Sequence, residues 1–327
     1  MPINALGQSP PDNMTITDTV SAPLVAVVGA TGIQGGSVIK ALEESDKAYR
    51  IRGFTRDASK PTAQALASRG VEVVSVSLVV GNKDEVYKAF EGANMIFLVT
   101  NFWEHMNAER ETAEAKQLFD AAKASGAERI VWSGLVSFDK ISGGKFPHVY
   151  HFEGKAAATE YGRQIGAPFV DVQAGFYAVN MIESPMAHTK LEDGSLALEW
   201  PVPPTTRMPI IDAAYDYGLY VRHVFELPVF PSGSEVRTAG EMIAAGDIAG
   251  QLGELTGKKV VFKQITTEDY GASLRAFGLP PHIVEDLVEC WVVFAEYGFY
   301  GTKEISSHEG LARKPRTWKE FVKSLDQ

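Results

Sequence analysis

Short apolar and β-branched runs recur along the first 175 residues, and segments with apolar positions at helical spacing separate them. The runs predict strands over residues 24–28, 49–54, 71–76, 95–100, 129–133 and 169–172. The segments between them predict helices over residues 34–44, 63–68, 83–90, 105–125 and 152–165. Because strands that alternate with helices pair in parallel through right-handed crossovers, we predict an α/β fold with a doubly wound parallel sheet.

The alternation ends after Gly175, where prolines and turns become frequent. Helices are predicted there over residues 211–225, 240–255, 272–277 and 282–294, with a strand over 259–265. We therefore expect a sheet domain over residues 24–175 and a smaller α+β domain over 176–327, with a segment of about 205–225 returning to the first. The smaller domain should cover the carboxyl ends of the strands, where such sheets bind ligands. Residues 1–23 have no basic start and no apolar run, so we expect a flexible tail and not a secretory signal.

A glycine-rich string joins the first predicted strand to the first predicted helix. It reads Gly29-Ala30-Thr31-Gly32-Ile33-Gln34-Gly35-Gly36. Glycines at this spacing also arise by chance, but the strand before and the helix after are the context of a Rossmann-type dinucleotide site. The first glycine would make the tight turn, the second would admit the pyrophosphate, and the third would let the helix pack on the strand. The pyrophosphate would then lie at the positive end of the helix, within reach of Thr31, Ile33 and Gln34.

The residues that follow the second predicted strand favour NADP over NAD. An acidic residue at that position would accept hydrogen bonds from the ribose hydroxyls of NAD. This chain instead has Thr55 and Arg56, with Lys60 nearby. A guanidinium can bind a 2′-phosphate in a bidentate way, so these three residues are predicted to contact NADP. The alternative is that Arg56 is only a solvated surface charge.

The formal net charge of -10 disfavours direct binding to nucleic acid or to an anionic membrane surface. A single cysteine, Cys290, excludes a disulfide within the chain, and its apolar neighbours predict a buried position. No apolar run reaches the roughly twenty residues of a membrane span. We therefore expect a cytoplasmic protein, present also in the nucleus as a further option.

Several motifs, taken in chain order, resemble those of the NmrA-like proteins, which are atypical members of the short-chain dehydrogenase/reductase superfamily. The motifs are residues 29–36, Thr55-Arg56-Asp57, residues 97–104, Trp132-Ser133-Gly134-Leu135, His151-Phe152-Glu153-Gly154-Lys155 and Pro209-Ile210-Ile211-Asp212. The pattern is most similar to the NADP(H)-sensing branch. The resemblance implies a Rossmann domain, a small C-terminal domain, and NADP(H) binding coupled to a protein partner or to association as monomer or homodimer. It also implies that Thr100, Asn101 and Phe102 line the nicotinamide side. Leu78 would contact the adenine where family members often have an aspartate.

His151 and Lys155 stand four apart, where the superfamily usually has Tyr and Lys on one helix face. We expect Lys155 to reach the ribose. His151 is either a proton donor or a hydrogen-bonding residue that lines the cofactor cleft. Ser133 is a candidate for the substrate-orienting hydroxyl, and Phe176 is a candidate to face a ligand. Because His148 and His151 lack a carboxylate or third histidine at suitable spacing, no metal site is predicted.

Two functions remain open from the sequence. A complete nucleotide site beside a pair that lacks its tyrosine favours a redox-sensing regulator with little or no dehydrogenase activity. The alternative is an NADPH-dependent reductase of an aromatic carbonyl, quinone or phenylpropanoid-like compound. Relatives that resemble isoflavone reductase often use the lysine without the tyrosine, so the missing phenol does not exclude this chemistry.

Overall fold

The computed structural model describes residues 16–184 and 188–325. Its strands are β1 (Leu24–Val27), β2 (Arg50–Thr55), β3 (Glu72–Ser75), β4 (Met95–Leu98), β5 (Arg129–Trp132), β6 (Phe169–Gln173), β7 (Phe176–Tyr177), β8 (Thr189–Lys190), β9 (Leu196–Trp200), β10 (Arg207–Ile211), β11 (Glu235–Arg237), β12 (Glu241–Ala244) and β13 (Val260–Gln264). Its helices are α1 (Ile33–Glu43), α2 (Pro61–Ala67), α3 (Lys83–Ala89), α4 (Ala108–Ala124), α5 (Phe138–Ser142), α6 (Tyr150–Gln164), α7 (Asn180–Glu183), α8 (Ala213–Glu226), α9 (Ala245–Thr256), α10 (Thr267–Ala276), α11 (Pro281–Tyr297) and α12 (Trp318–Ser324). A short 3-10 helix, Phe102–Glu104, follows β4. Within these ranges, no helix combines the length and apolar composition needed to cross a bilayer.

A seven-stranded parallel sheet forms the centre of the fold, in the order β11-β6-β5-β4-β1-β2-β3. The chain runs outward from β1 to β3, then returns to the other side of β1 and continues through β4, β5 and β6. The strand order therefore reverses between β1 and β4, and ligands bind beyond the carboxyl ends of the strands at such a reversal. The predicted doubly wound α/β fold is confirmed. The seventh strand, β11, comes from the second half of the chain and pairs with β6.

Helices cover both faces of this sheet. On one face, apolar side chains of α1 and α8 pack against β1, β5 and β6. On the other face, α3, α4 and α6 supply the apolar layer. The strands between the layers are almost continuously apolar, as expected when a parallel sheet is buried on both sides.

Two three-stranded sheets and helices α9 to α12 make up most of the second half. The sheets have the orders β12-β10-β7 and β13-β9-β8. Their shared core is rich in aromatic rings, and Trp200 stacks on Trp291 with ring centroids 4.9 Å apart. Cys290 is buried in the same core, as predicted. The aromatic stretch after Trp291 is likewise mainly core.

Three helices begin later in the structure than predicted. Residues 241–244 form β12 and not helix, because they pair antiparallel with β10. Residues 207–211 form β10, and α8 begins only after Asp212, whose carboxylate accepts from the Tyr215 amide at 3.3 Å. The long helix predicted from residue 105 begins at Ala108, because Met106 takes a φ of 51° and Asn107 caps the helix.

The segment before β1 is also more ordered than predicted. Ile16 is buried and forms a parallel bridge with Tyr49 beside β2. The flexible tail predicted to reach Pro23 is therefore wrong for the stretch that begins at Ile16. Residues 1–15 of that prediction lie outside the described residues.

The glycine loop depends on the position of α1, and α1 is held by close contact with α8. The Gly218 amide of α8 donates to the Ser37 hydroxyl at 2.9 Å. A Cβ at Gly218 would lie 2.0 Å from the Ser37 carbonyl oxygen, a distance at which backbone must move. The two helices can approach this closely only because residue 218 has no side chain.

Gly218→Ala should therefore lower the free energy of unfolding by about 1–3 kcal/mol, the usual cost of overpacking a core. The matched control is Gly250→Ala in α9, where an added Cβ meets nothing within 4 Å. That change should raise stability by roughly 0.5–1 kcal/mol, because alanine loses less backbone entropy in a helix. Urea denaturation of both variants provides the measurement. Equal effects of the two substitutions would contradict the proposed close contact.

Candidate functional site

The glycine loop lies at the carboxyl end of β1 and leads directly into α1. Gly29 has a φ of 65°, and a Cβ at Gly35 would lie 2.2 Å from the Gly29 carbonyl oxygen. Both positions therefore require glycine. Gly32 is the N-cap of α1 and no side chain caps that end of the helix. Thr31, Gly32 and Ile33 are exposed, so the first amides of α1 are open to an anionic ligand.

Gln34 and Ser133 lie behind this loop and not on its surface. Both are buried, and the Ser133 hydroxyl donates to the Gln34 side-chain oxygen at 2.9 Å. This hydrogen bond ties the end of β5 to the first turn of α1. The predicted contacts of these two residues with a cofactor or substrate stay predictions.

Arg56 follows β2 directly, and its side chain is 68% exposed. Its Nη1 lies 2.5 Å from a Glu104 carboxylate oxygen, so an ion pair joins the end of β2 to the segment after β4. Thr55 is half-buried, Lys60 is exposed at the start of α2, and Leu78 is half-buried against the apolar layer below. Arg56 is thus an accessible cation at the predicted ribose side, but a carboxylate already competes for it.

Lys155 is held at the carboxyl end of β4. Its Nζ donates to both the carbonyl and the hydroxyl of Thr100, each at 2.9 Å, and lies 2.8 Å from the Glu111 carboxylate. Glu111 is only 2% exposed. The helix carries Lys155 to the predicted nicotinamide side, where Glu111 offsets its positive charge. Sequence reasoning missed Glu111, because an acidic residue in the first turn of a helix is ordinary.

His151 occupies the preceding turn of α6, and its partner is Asp286 of α11. The His151 amide donates to one Asp286 carboxylate oxygen at 2.9 Å, and the ring Nδ1 contacts the other. Asp286 is 0% exposed. A buried carboxylate thus holds the imidazole at two points, which a search for nearby residues in the sequence could not find.

A similar contact lies one turn earlier at the edge of the cleft. The His148 Nδ1 is 2.7 Å from the Glu289 carboxylate and 3.4 Å from that of Glu285. The hydrogen bond with Glu289 raises the pKa of His148 above its usual value. Spacing in the sequence could not reveal these carboxylates, because α11 brings three of them from far along the chain. The absence of a metal site stays a prediction.

Helix α11 also contacts the loop after β4. The His282 Nε2 lies 3.0 Å from the Met106 carbonyl oxygen. His282 and Asp286 are four apart and share one helix face. This face therefore contacts both the loop after β4 and the start of α6.

Aromatic rings form the wall beside His151. The Trp103 ring lies 5.3 Å from the His151 ring between centroids and is 46% exposed, whereas Phe102 beneath it is buried. Asn101 is exposed at the start of this wall. Phe176 is half-buried and packs on Trp291 at 5.8 Å between centroids, so it lies against the aromatic core, and its contact with a ligand stays a prediction.

The model of the NmrA-like family matches residues 21–322. The chain belongs to the NmrA-like family. An NmrA-like family domain-containing protein of Dictyostelium discoideum is 26% identical, over 92% of this chain and 97% of its own. The solved structure of NmrA, a negative transcriptional regulator, in complex with NADP has a TM-score of 0.77 at 22% identity, over 93% of this chain and 95% of that one. An NADPH-dependent quinone oxidoreductase from Escherichia coli, complexed with NADPH, has a TM-score of 0.73 at 22% identity, over 93% and 100%.

In this NmrA-like protein, a buried carboxyl lies beneath the carboxyl edge of β5 and β6. Asp171 accepts a hydrogen bond from the Gln173 amide at 2.9 Å and lies against Gly134. Burial raises the pKa of Asp171 to about 7. Its neutral form is therefore the stable one in the folded protein, and ionisation opposes folding.

The ionisation of Asp171 should be visible in the pH dependence of the free energy of unfolding. Well below pH 3.8, the ordinary pKa of an aspartate, Asp171 is neutral whether the chain is folded or unfolded. As pH rises towards 7 the unfolded state ionises first, so stability is lost across this window. The side chain of the Asp171→Asn variant cannot ionise. The difference in free energy of unfolding between this variant and the native chain should therefore rise by on the order of 4 kcal/mol between pH 4 and pH 8. This is the free energy of moving a pKa from 3.8 to about 7. Chemical denaturation at several pH values checks this, and parallel pH profiles for the two proteins would refute it.

Proposed function

We propose that this chain binds NADP(H) and acts as a redox-sensing regulator, in which the state of the nicotinamide side is transmitted through α11. The observation that carries the proposal is that one face of α11 contacts two segments on the predicted nicotinamide side, the loop after β4 and the start of α6. His282 reaches the loop after β4, and Asp286 reaches His151 at the start of α6.

The residues present fit a nicotinamide dinucleotide. The open first turn of α1 suits a pyrophosphate, and the exposed Arg56 suits a 2′-phosphate. Lys155 reaches from α6 to Thr100, just after β4, in the segment that is predicted to line the nicotinamide side. Relatives of the same fold have been crystallised with NADP, NADPH or NAD, which supports a nicotinamide dinucleotide, and the exposed Arg56 is the reason for preferring NADP.

The coupling requires that the oxidised and reduced cofactors make different contacts, because a ligand shifts an equilibrium only by its differential affinity for the two states. The two forms differ in the charge of the nicotinamide ring. His151, Lys155 and Glu111 are the ionisable groups nearest to its predicted position. A change at His151 bears directly on Asp286 and therefore on α11.

Glu111 supports a regulator with little dehydrogenase activity. In the superfamily the lysine acts through its positive charge, and here a buried carboxylate 2.8 Å away offsets that charge. The regulated event would be binding of a protein partner or association of two copies. A net charge of -10 makes direct nucleic-acid binding the poorer choice.

A second function, reduction of an aromatic carbonyl or quinone, is favoured by the buried carboxylate that holds His151 beside the exposed Trp103.

Arg56→Ala should weaken NADP binding by roughly 10- to 100-fold, because charged hydrogen bonds to the 2′-phosphate contribute about 1.5–3 kcal/mol. NAD lacks that phosphate, so its affinity should change by less than about threefold. Isothermal titration with each cofactor gives both constants.

Glu104→Gln is the matched variant. It removes the carboxylate that pairs with Arg56 at 2.5 Å and would repel the phosphate, so NADP should bind more tightly. Equal effects of Arg56→Ala on NADP and NAD would show that Arg56 does not contact the phosphate.

Hydrogen exchange tests the coupling itself. NADPH and NADP⁺ should both protect the glycine loop, but they should differ in the protection of residues 281–286 and 100–107. Sedimentation of the same samples shows whether association changes with the cofactor. Protection confined to the glycine loop, identical for the two forms, would contradict the regulatory proposal and leave cofactor binding intact.

A further inference from the structure

His151 and Asp286 have the arrangement of a proton-transfer pair. The Asp286 carboxylate is fully buried, and it receives the His151 backbone amide at 2.9 Å as well as the ring Nδ1. In its ionised state the Asp286 carboxylate can only accept hydrogen bonds, and the Nδ1 in contact with it is then the ring nitrogen that carries the proton. The ring is therefore held with its other nitrogen, Nε2, as the one that exchanges a proton.

The surroundings of Nε2 suit a ligand. Among the residues that the structure describes, Nε2 has no hydrogen-bond partner. The His151 side chain is 14% exposed, and the Trp103 ring beside it is 46% exposed. A flat apolar surface next to a directed N–H group matches a planar conjugated compound with a polar oxygen.

We propose that His151 donates a proton from Nε2 to the oxygen of a conjugated aromatic carbonyl substrate, and that Asp286 is the positioning residue for this step. The activity goes beyond regulation and rests on the proposed binding of NADPH. The carbonyl carbon accepts a hydride from NADPH while the C=O π bond breaks, and the oxygen takes the Nε2 proton of the doubly protonated ring. The product is an alcohol, or from a quinone the hydroxyketone, which tautomerises to the hydroquinone by losing the new C–H proton while its second oxygen gains one from solvent. NADP⁺ and a His151 ring protonated only at Nδ1 are left. Solvent then restores the Nε2 proton.

Asp286 is required because the ring must carry protons on both nitrogens before the step. In Asp286→Asn, the side-chain amide can donate to Nδ1, which then serves as an acceptor. Double protonation would place two donors against each other, so the proton-donating state is disfavoured.

The chain offers a close control in Glu289. Its carboxylate accepts from the His148 amide at 2.9 Å and contacts the His148 Nδ1 at 2.7 Å, on the same two helices. His148 lies one turn before His151, away from Trp103. Glu289→Gln therefore removes an equivalent histidine–carboxylate contact without altering the proposed donor.

The first experiment needs neither cofactor nor substrate. Nitrogen-15 NMR of the histidine rings should show neutral His151 as the Nδ1–H tautomer in the native protein and as the Nε2–H tautomer in Asp286→Asn. Glu289→Gln should leave His151 unchanged. A native His151 protonated at Nε2 when neutral would overturn the assignment of Asp286 as the positioning residue.

The second experiment follows NADPH oxidation with 9,10-phenanthrenequinone and 4-nitroacetophenone as probes. We expect His151→Gln to lower kcat by roughly 100-fold or more and Asp286→Asn by roughly 10- to 100-fold, the range for lost acid catalysis. The KM for NADPH should stay within about threefold, and Glu289→Gln should stay within about twofold of native kcat. Circular dichroism shows whether each variant is folded. If Asp286→Asn does not fold, the kcat of His151→Gln still tests the proposal.

The outcomes separate this inference from the proposed function. Binding of NADPH with no turnover of either probe would overturn the catalytic role and leave the regulator standing. Turnover that survives in both His151→Gln and Asp286→Asn would assign the proton to another donor. If NADPH does not bind at all, the proposed function fails, and the catalytic role fails with it.

Discussion

A buried carboxylate must be matched by hydrogen-bond donors, and Asp286 finds its donors on His151. Removing one partner of such a pair costs about 3–5 kcal/mol, because it leaves a charge uncompensated in the interior. The contact joins α11 of the second half to α6 of the sheet domain. It therefore links a helix of the aromatic core in the second half to the helix that carries Lys155.

A second buried carboxylate, Glu111, holds Lys155 in the same cleft. The two pairs have opposite chemical consequences. Glu111 offsets the charge with which a lysine would assist a reaction, whereas Asp286 orients a ring so that one nitrogen is available to a ligand. The proposed regulator and the proposed reductase would thus use the same site. They differ in whether a change at His151 is transmitted through Asp286 to α11 or whether His151 donates its proton to a substrate.

The parts of the protein that the sequence determined are those with local causes. Glycine is required at Gly29 by a positive φ and at Gly35 by a close backbone approach, so the loop could be recognised from its spacing. The parallel sheet followed from apolar runs that alternate with helical segments, since burial on both faces leaves that pattern in each strand. A helix that carries Lys155 was likewise predicted, over residues 152–165, and in the structure it begins at Tyr150 and so carries His151 on the same face.

Other parts were decided only by tertiary structure, because their causes lie far apart in the chain. Residues 241–244 have an apolar spacing that also suits a helix, and only the free edge of β10 made them a strand. Asp286 is 135 residues from His151, and Glu111 is 44 residues before Lys155. The sequence around each basic residue therefore gives no indication of its carboxylate partner. The sequence by itself therefore determined the central parallel sheet, the glycine loop and the helix that carries Lys155. Tertiary packing decided which carboxylates meet those side chains, because a charge excluded from water takes its partner from whichever element packs against it.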